Sequence, residues 1–96
     1  MLMLVTYDVN TSSPAGQKRL RKVAKLCERY GLRVQNSVFE LLVDPAQLAT
    51  LKSELAAIID HDHDSVRFYR LGNSYQTRID TMGRAGLVQT GEPILL

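Results

Sequence analysis

The stretch MLMLVTYDVN at the start of the chain limits the fold more than any other. Residues 2–9 are almost unbroken apolar sequence, the pattern of a strand covered on both faces, yet an acid, Asp8, stands near its end. A carboxylate buried without a partner is strongly destabilising, so an acid closing a core strand has something to hold. Side chains alternate along a strand, which puts Asp8 on one face with Leu2, Leu4 and Thr6 and turns Tyr7 to the other with Met3, Val5 and Val9.

Beyond this strand the chain is clearly punctuated. Ser13 and Pro14 suit an N-cap and first helical position; Leu20, Val23, Ala24, Cys27 and Tyr30 recur at helical spacing, and Gly31 supplies a left-handed stop, predicting a helix over 14–30. Asn36 and Ser37 divide the next apolar stretch into strands at 32–35 and 38–43. Asp44, Pro45 and Gln47 resemble a capping box ahead of a second helix, whose buried stripe is Leu48, Leu51, Leu55, Ile58 and Ile59. After a polar loop at 60–64, Val66 and Phe68 alternate with Arg67 and Tyr69 in a strand at 65–71. Residues 72–86 have no clear period, and the apolar stretches at 87–89 and 94–96 suggest a fifth strand and an anchored tail.

This order predicts one α+β domain over 1–96, a ferredoxin-like βαββαβ sandwich (1–71) with an additional C-terminal strand in segment 72–96. Both helices then cover one sheet face. The first strand is apolar on both faces, so the open face calls for a second molecule, most simply an identical chain related by a two-fold axis. At 96 residues, with 45% hydrophobic and 23% charged residues, the composition is that of an ordinary globular domain. No apolar stretch is long enough to cross a bilayer and no signal peptide is evident, which makes a cytoplasmic location the default and excludes membrane partners. The lone Cys27 forms no internal disulfide or cysteine-based zinc site and is expected in the core.

A two-fold dimer through the open face could bring two Asp8 carboxylates together on the axis. Mg²⁺ binds one or two carboxylates and keeps several waters, so the pair suits one shared ion where a single acid is more often a turn residue. The predicted first helix holds Lys18, Arg19, Arg21, Lys22, Lys25 and Arg29 against one acid, Glu28, and a polyanion would relieve their repulsion. The opposing expectation is a solvated helix face. The run Asp60-His61-Asp62-His63-Asp64 has metal-binding residue types but no further ligand cluster, and reads as a loop closing the second helix. Tyr75, Arg78 and Arg84 are further candidates for phosphate contact.

Two stretches, VTYDVN and GLRVQNSVFE, joined by the basic helix and followed by DSVRFYRLG, resemble the CRISPR-associated Cas-two family, the small subunit of the spacer-acquisition machinery. The resemblance implies a homodimer whose last strand pairs with the partner protomer, and Mg²⁺ between the two Asp8. It implies nuclease activity on double-stranded DNA or single-stranded RNA, and a complex with an integrase subunit. By position it assigns Tyr7, Asp8, Arg33, Ser37 and Phe39 to the catalytic site, Arg33 and Ser37 toward phosphate or the metal-bound water and Phe39 as an ordering residue. Arg19 and Arg21, with Lys18, Lys22, Lys25 and Arg78, fall on nucleic-acid contact. Two alternatives stand beside a metal-dependent endonuclease. One is a non-catalytic DNA-binding bridge between integrase subunits, which the lack of a second acid beside Asp8 favours. The other is a regulatory domain for a small molecule, which the polar first loop disfavours.

Overall fold

A computed structural model describes residues 1–83. β1 (Leu2–Asp8), α1 (Pro14–Glu28), β2 (Gly31–Gln35), β3 (Val38–Leu42), α2 (Pro45–Ile58) and β4 (Ser65–Gly72) follow the expected βαββαβ order, with a short 3₁₀ turn at Tyr75–Thr77. The fifth strand expected at 87–89, the tail at 94–96 and Arg84 lie outside the described residues.

The helices begin where their caps stand. The Ser13 hydroxyl accepts the Gly16 N–H at 3.1 Å with Pro14 in the first turn of α1. At α2 the capping box is complete: the Asp44 carboxylate accepts the Gln47 N–H at 2.7 Å, and the Gln47 side chain accepts the Asp44 N–H at 2.9 Å. Two boundary expectations need correction. α1 ends at Glu28 rather than Tyr30, and Gly31 opens β2 instead of closing the helix in a left-handed turn. Its small size serves another purpose, because a Cβ there would collide with the Glu40 carbonyl oxygen of β3.

All strand pairings are antiparallel, in the order β2-β3-β1-β4. β1 therefore lies in the middle, with Val5 opposite Phe39 on one side and Phe68 on the other, and Met3 opposite Leu41. These side chains meet Val23, Leu26 and Cys27 of α1 and Leu48, Leu51 and Leu55 of α2 in one core, each contributing about 1.5–3 kcal/mol by leaving water. Burial pushes the Cys27 thiol up to about 11, so it is an inert packing residue as expected.

The same register sends Leu4, Thr6, Asp8, Val38, Ser65, Arg67 and Tyr69 to the sheet face away from the core. Leu4, Thr6 and Val38 are half-buried there, whereas Asp8, Arg67 and Tyr69 are exposed. Leu2 and Glu40, on this side as well, are buried. None of the described helices or strands covers this face. No helix among the described residues is long and apolar enough to cross a membrane.

Candidate metal site and nucleic-acid interface

Asp8 occupies the last position of β1, opposite Ser65 at the start of β4. Thr6 faces Arg67 and Leu4 faces Tyr69 in the same pairing. The result is a shallow concavity of about 280 Å³ at Asp8, lined by Thr6, Tyr7, Ser65, Arg67 and Tyr69. Arg67 Nη1 donates to the Tyr69 hydroxyl at 3.3 Å, and Tyr69 remains 44% exposed. Among the described residues no three His, Cys, Asp or Glu side chains gather as a metal cluster. One described protomer thus offers Asp8 as a single exposed carboxylate with hydroxyls nearby. A magnesium ion that keeps several waters takes one or two carboxylates from protein, so this residue set fits such an ion, alone or with a second Asp8.

Of the other residues that the resemblance groups with Asp8, Tyr7 borders the same concavity while its ring turns to the core, and Arg33, Ser37 and Phe39 do not line it. Tyr7 and Phe39 belong to the core face, their rings stacked with centroids 6.1 Å apart and 28° between planes. The Arg33 guanidinium lies over Phe39 at 5.2 Å from its centroid and 3.8 Å from Glu28, while the Tyr7 hydroxyl donates to the Asn36 carbonyl at 3.3 Å. Burial pushes the Tyr7 phenol up and Arg33 pulls it partly back. Phe39 is 0% exposed, so any contact it makes in this protomer is through packing. Ser37 sits in the turn after β2, where its carbonyl accepts the Tyr7 N–H at 3.1 Å. A single protomer therefore divides this set between the two sheet faces.

On α1 the basic residues also divide. Lys18, Arg21, Lys22 and Lys25 recur at i, i+3, i+4 and i+7, are exposed, and form no ion pair among the described residues. Arg29 continues this stripe but lies 3.7 Å from Glu54 of α2. Arg19 points away from it. Its Nε donates to Asp64 Oδ2 at 2.8 Å and its Nη2 to Oδ1 at 3.4 Å, so it is engaged within the protomer and stands apart from the exposed stripe. Arg78 is exposed just beyond the 3₁₀ turn, its N–H donating to the Tyr75 carbonyl at 2.9 Å.

Asp64 is the acid that this protomer fully engages. Its side chain is 0% exposed and also accepts the Asn10 N–H at 3.0 Å and the Asp60 N–H at 2.9 Å. Burial raises its pKa, but the Arg19 bond and the two backbone donors together prevail and hold it at about 2. The 60–64 run is therefore a structural latch joining the β1–α1 loop, α1 and the start of β4. The histidines add to its closure: a His63 Nδ1 contact to Asp60 at 3.1 Å and a His61 Nε2 contact to the Ala56 carbonyl at 2.9 Å. Asp64 and Arg67 were both missed as site residues from sequence. Arg67 had a usable signal, since period-two alternation and the β1–β4 pairing of this fold place it on the face of Asp8.

The class that these features define is a ferredoxin-like α+β sandwich with an acid on its open sheet face and a basic stripe on its first helix. The chain belongs to the family described as CRISPR associated protein Cas2, whose model matches residues 1–79. It is 55% identical over 95 residues to the CRISPR-associated endonuclease Cas2 of Halalkalibacterium halodurans, covering 99% of each chain. It is 54% identical over 95 residues to the CRISPR-associated endoribonuclease Cas2 3 of Rhodospirillum rubrum, covering 99% of this chain and 100% of that one. The crystal structure of Streptococcus pyogenes Cas2 at pH 6.5 superposes with a TM-score of 0.77 at 60% identity, covering 86% of this chain and 100% of that one.

Proposed function

We propose that the protein is a metal-dependent endonuclease of CRISPR spacer acquisition, working in the cytoplasm as a homodimer joined through the open sheet face. The observation that carries this reading is Asp8: an exposed carboxylate ending a core strand, in a concavity with Arg67, on the face no described element covers. The names of the two relatives, an endonuclease and an endoribonuclease, support hydrolysis of a phosphodiester. Paired Asp8 side chains from two protomers would hold one Mg²⁺. When bound, the ion supplies an acidified water and neutralises phosphate charge. Asp8 fixes the position of that chemistry. Arg67, steadied by the Tyr69 hydroxyl, adds positive charge where oxygens of the phosphate gain negative charge. The Lys18, Arg21, Lys22 and Lys25 stripe holds the nucleic-acid backbone.

One observation favours a second reading. Each described protomer brings a single acid to the candidate centre and a longer basic stripe behind it, which suits a bridge that holds duplex DNA between integrase subunits without cutting. Cleavage of double-stranded DNA and single-stranded RNA by the wild type and Asp8→Asn, with Mg²⁺ or EDTA and with binding recorded, separates the two. Metal-dependent cleavage that Asp8→Asn loses while binding persists is the expected result. Binding by both proteins with cleavage by neither would leave the bridge.

A further inference from the structure

A groove of about 620 Å³ opens on the opposite side of the sheet from Asp8, between α1 and the β2–β3 turn. Tyr7, Leu20 and Ala24 give it an apolar floor, and Arg21, Lys25 and Arg33 surround that floor with one acid, Glu28. Three cations against one carboxylate select an anion. The volume lies within the roughly 300–1,000 Å³ of pockets that hold a small organic molecule, and exceeds what a lone phosphate fills. Asn36 also lines the groove, and its side-chain amide is able both to donate and to accept, the pattern that reads a base edge. Arg33 is set in advance by its contact with the Phe39 ring, and its 3.8 Å pairing with Glu28, with both side chains largely exposed, is easily exchanged for a phosphate.

We infer that this groove takes one unpaired nucleotide of a single strand, the phosphate against Arg21, Lys25 and Arg33 and the base over Leu20 and Ala24 with its edge at Asn36. Arg21 and Lys25 belong both to the groove wall and to the α1 stripe, so a backbone following the stripe passes the groove mouth. In a duplex the bases are stacked and paired, and filling the groove would first require unstacking one of them. The groove therefore separates single-stranded from double-stranded partners, a distinction the stripe alone does not make. It also gives Arg33 a part in holding substrate although it does not line the Asp8 concavity, and Tyr7 borders both sites. The inference deepens the proposed nuclease reading but its test does not depend on cleavage.

Fluorescence anisotropy on Asp8→Asn protein, with no divalent ion, compares a short single-stranded DNA, the same sequence as RNA, and a blunt duplex. Arg33→Gln and, separately, Asn36→Asp are then introduced; Asn36 is exposed, and its backbone carbonyl, which receives the Tyr7 hydroxyl, is unchanged by substitution. Each variant is expected to lower the ratio of single-strand to duplex affinity about tenfold, the scale of losing a base contact. The DNA and RNA arms report which strand the groove prefers. Unchanged ratios in both variants, with unaltered melting temperatures, would overturn the inference. A nuclease failure registers separately, as absent cleavage by the wild type while these ratios still fall.

Discussion

Asp64 carries more of this structure than its place in a polar loop suggests. It is a buried carboxylate with one charged partner and two backbone donors, drawn from segments 45, 54 and 4 residues away in sequence. Removing the charge leaves Arg19 facing an amide. Arg19 keeps 21% exposure, so Asp64→Asn is expected to cost roughly 2 kcal/mol, below the 3–5 of a fully buried pair, measured by urea unfolding at neutral pH. The pH dependence follows from the direction of the shift. Because folding lowers the carboxyl from its ordinary 3.8 to about 2, its contribution is complete above the ordinary value and disappears as pH falls through that interval. Wild-type melting temperature should therefore drop between about pH 4 and pH 2 more steeply than that of Asp64→Asn. Parallel curves would remove Asp64 from the account of acid stability.

The elements were legible wherever their signals are local. Ser13-Pro14 and the Asp44 to Gln47 box are contacts within three residues, and both helices begin there. The alternation of β4 and the central position of β1 likewise follow from period and order. The division of the α1 cations was not legible, because it depends on partners in other elements: Arg19 turns to Asp64 and Arg29 to Glu54, and only the remaining four stand clear. The split of Tyr7 from Asp8 could be read from alternation, whereas the groove beside Tyr7 needed the helix packing that brings Arg21 to Arg33. The unpaired stripe yields a prediction at this scale. At 1.5 Å per residue Lys18 to Lys25 spans about 10 Å, enough to meet more than one phosphate of one duplex. Lys18→Gln with Lys22→Gln should lower the slope of log affinity for duplex DNA against log salt by about 2. Lys52→Gln, on α2 with its ammonium over the Phe68 ring, should leave the slope in place. Equal slopes for all three proteins would make the stripe a solvated face.

For the whole molecule the decisive question is whether two protomers make one centre. β1 is the strand that ties the two sides of the sheet together: its odd positions fill the core and its even positions carry Leu4, Thr6 and Asp8 to the open face. With one carboxylate per described protomer, the ion fits if a second Asp8 completes the site, and an isologous two-fold contact supplies it without any further residue. On the proposed reading, activity is then a property of pairs. When wild-type and Asp8→Asn protein are mixed equally, unfolded and refolded to randomise the protomers, about one dimer in four carries two intact acids and about one in two carries a single one. If both carboxylates are required, Mg²⁺-dependent cleavage should fall to about a quarter of that of wild type at the same total concentration, and should follow the square of the wild-type fraction across a titration. A straight line, with about half the activity at the equal mixture, would mean that each protomer cuts with its own Asp8. In that case the metal belongs to one chain, and the residues that complete its shell must be sought within that chain.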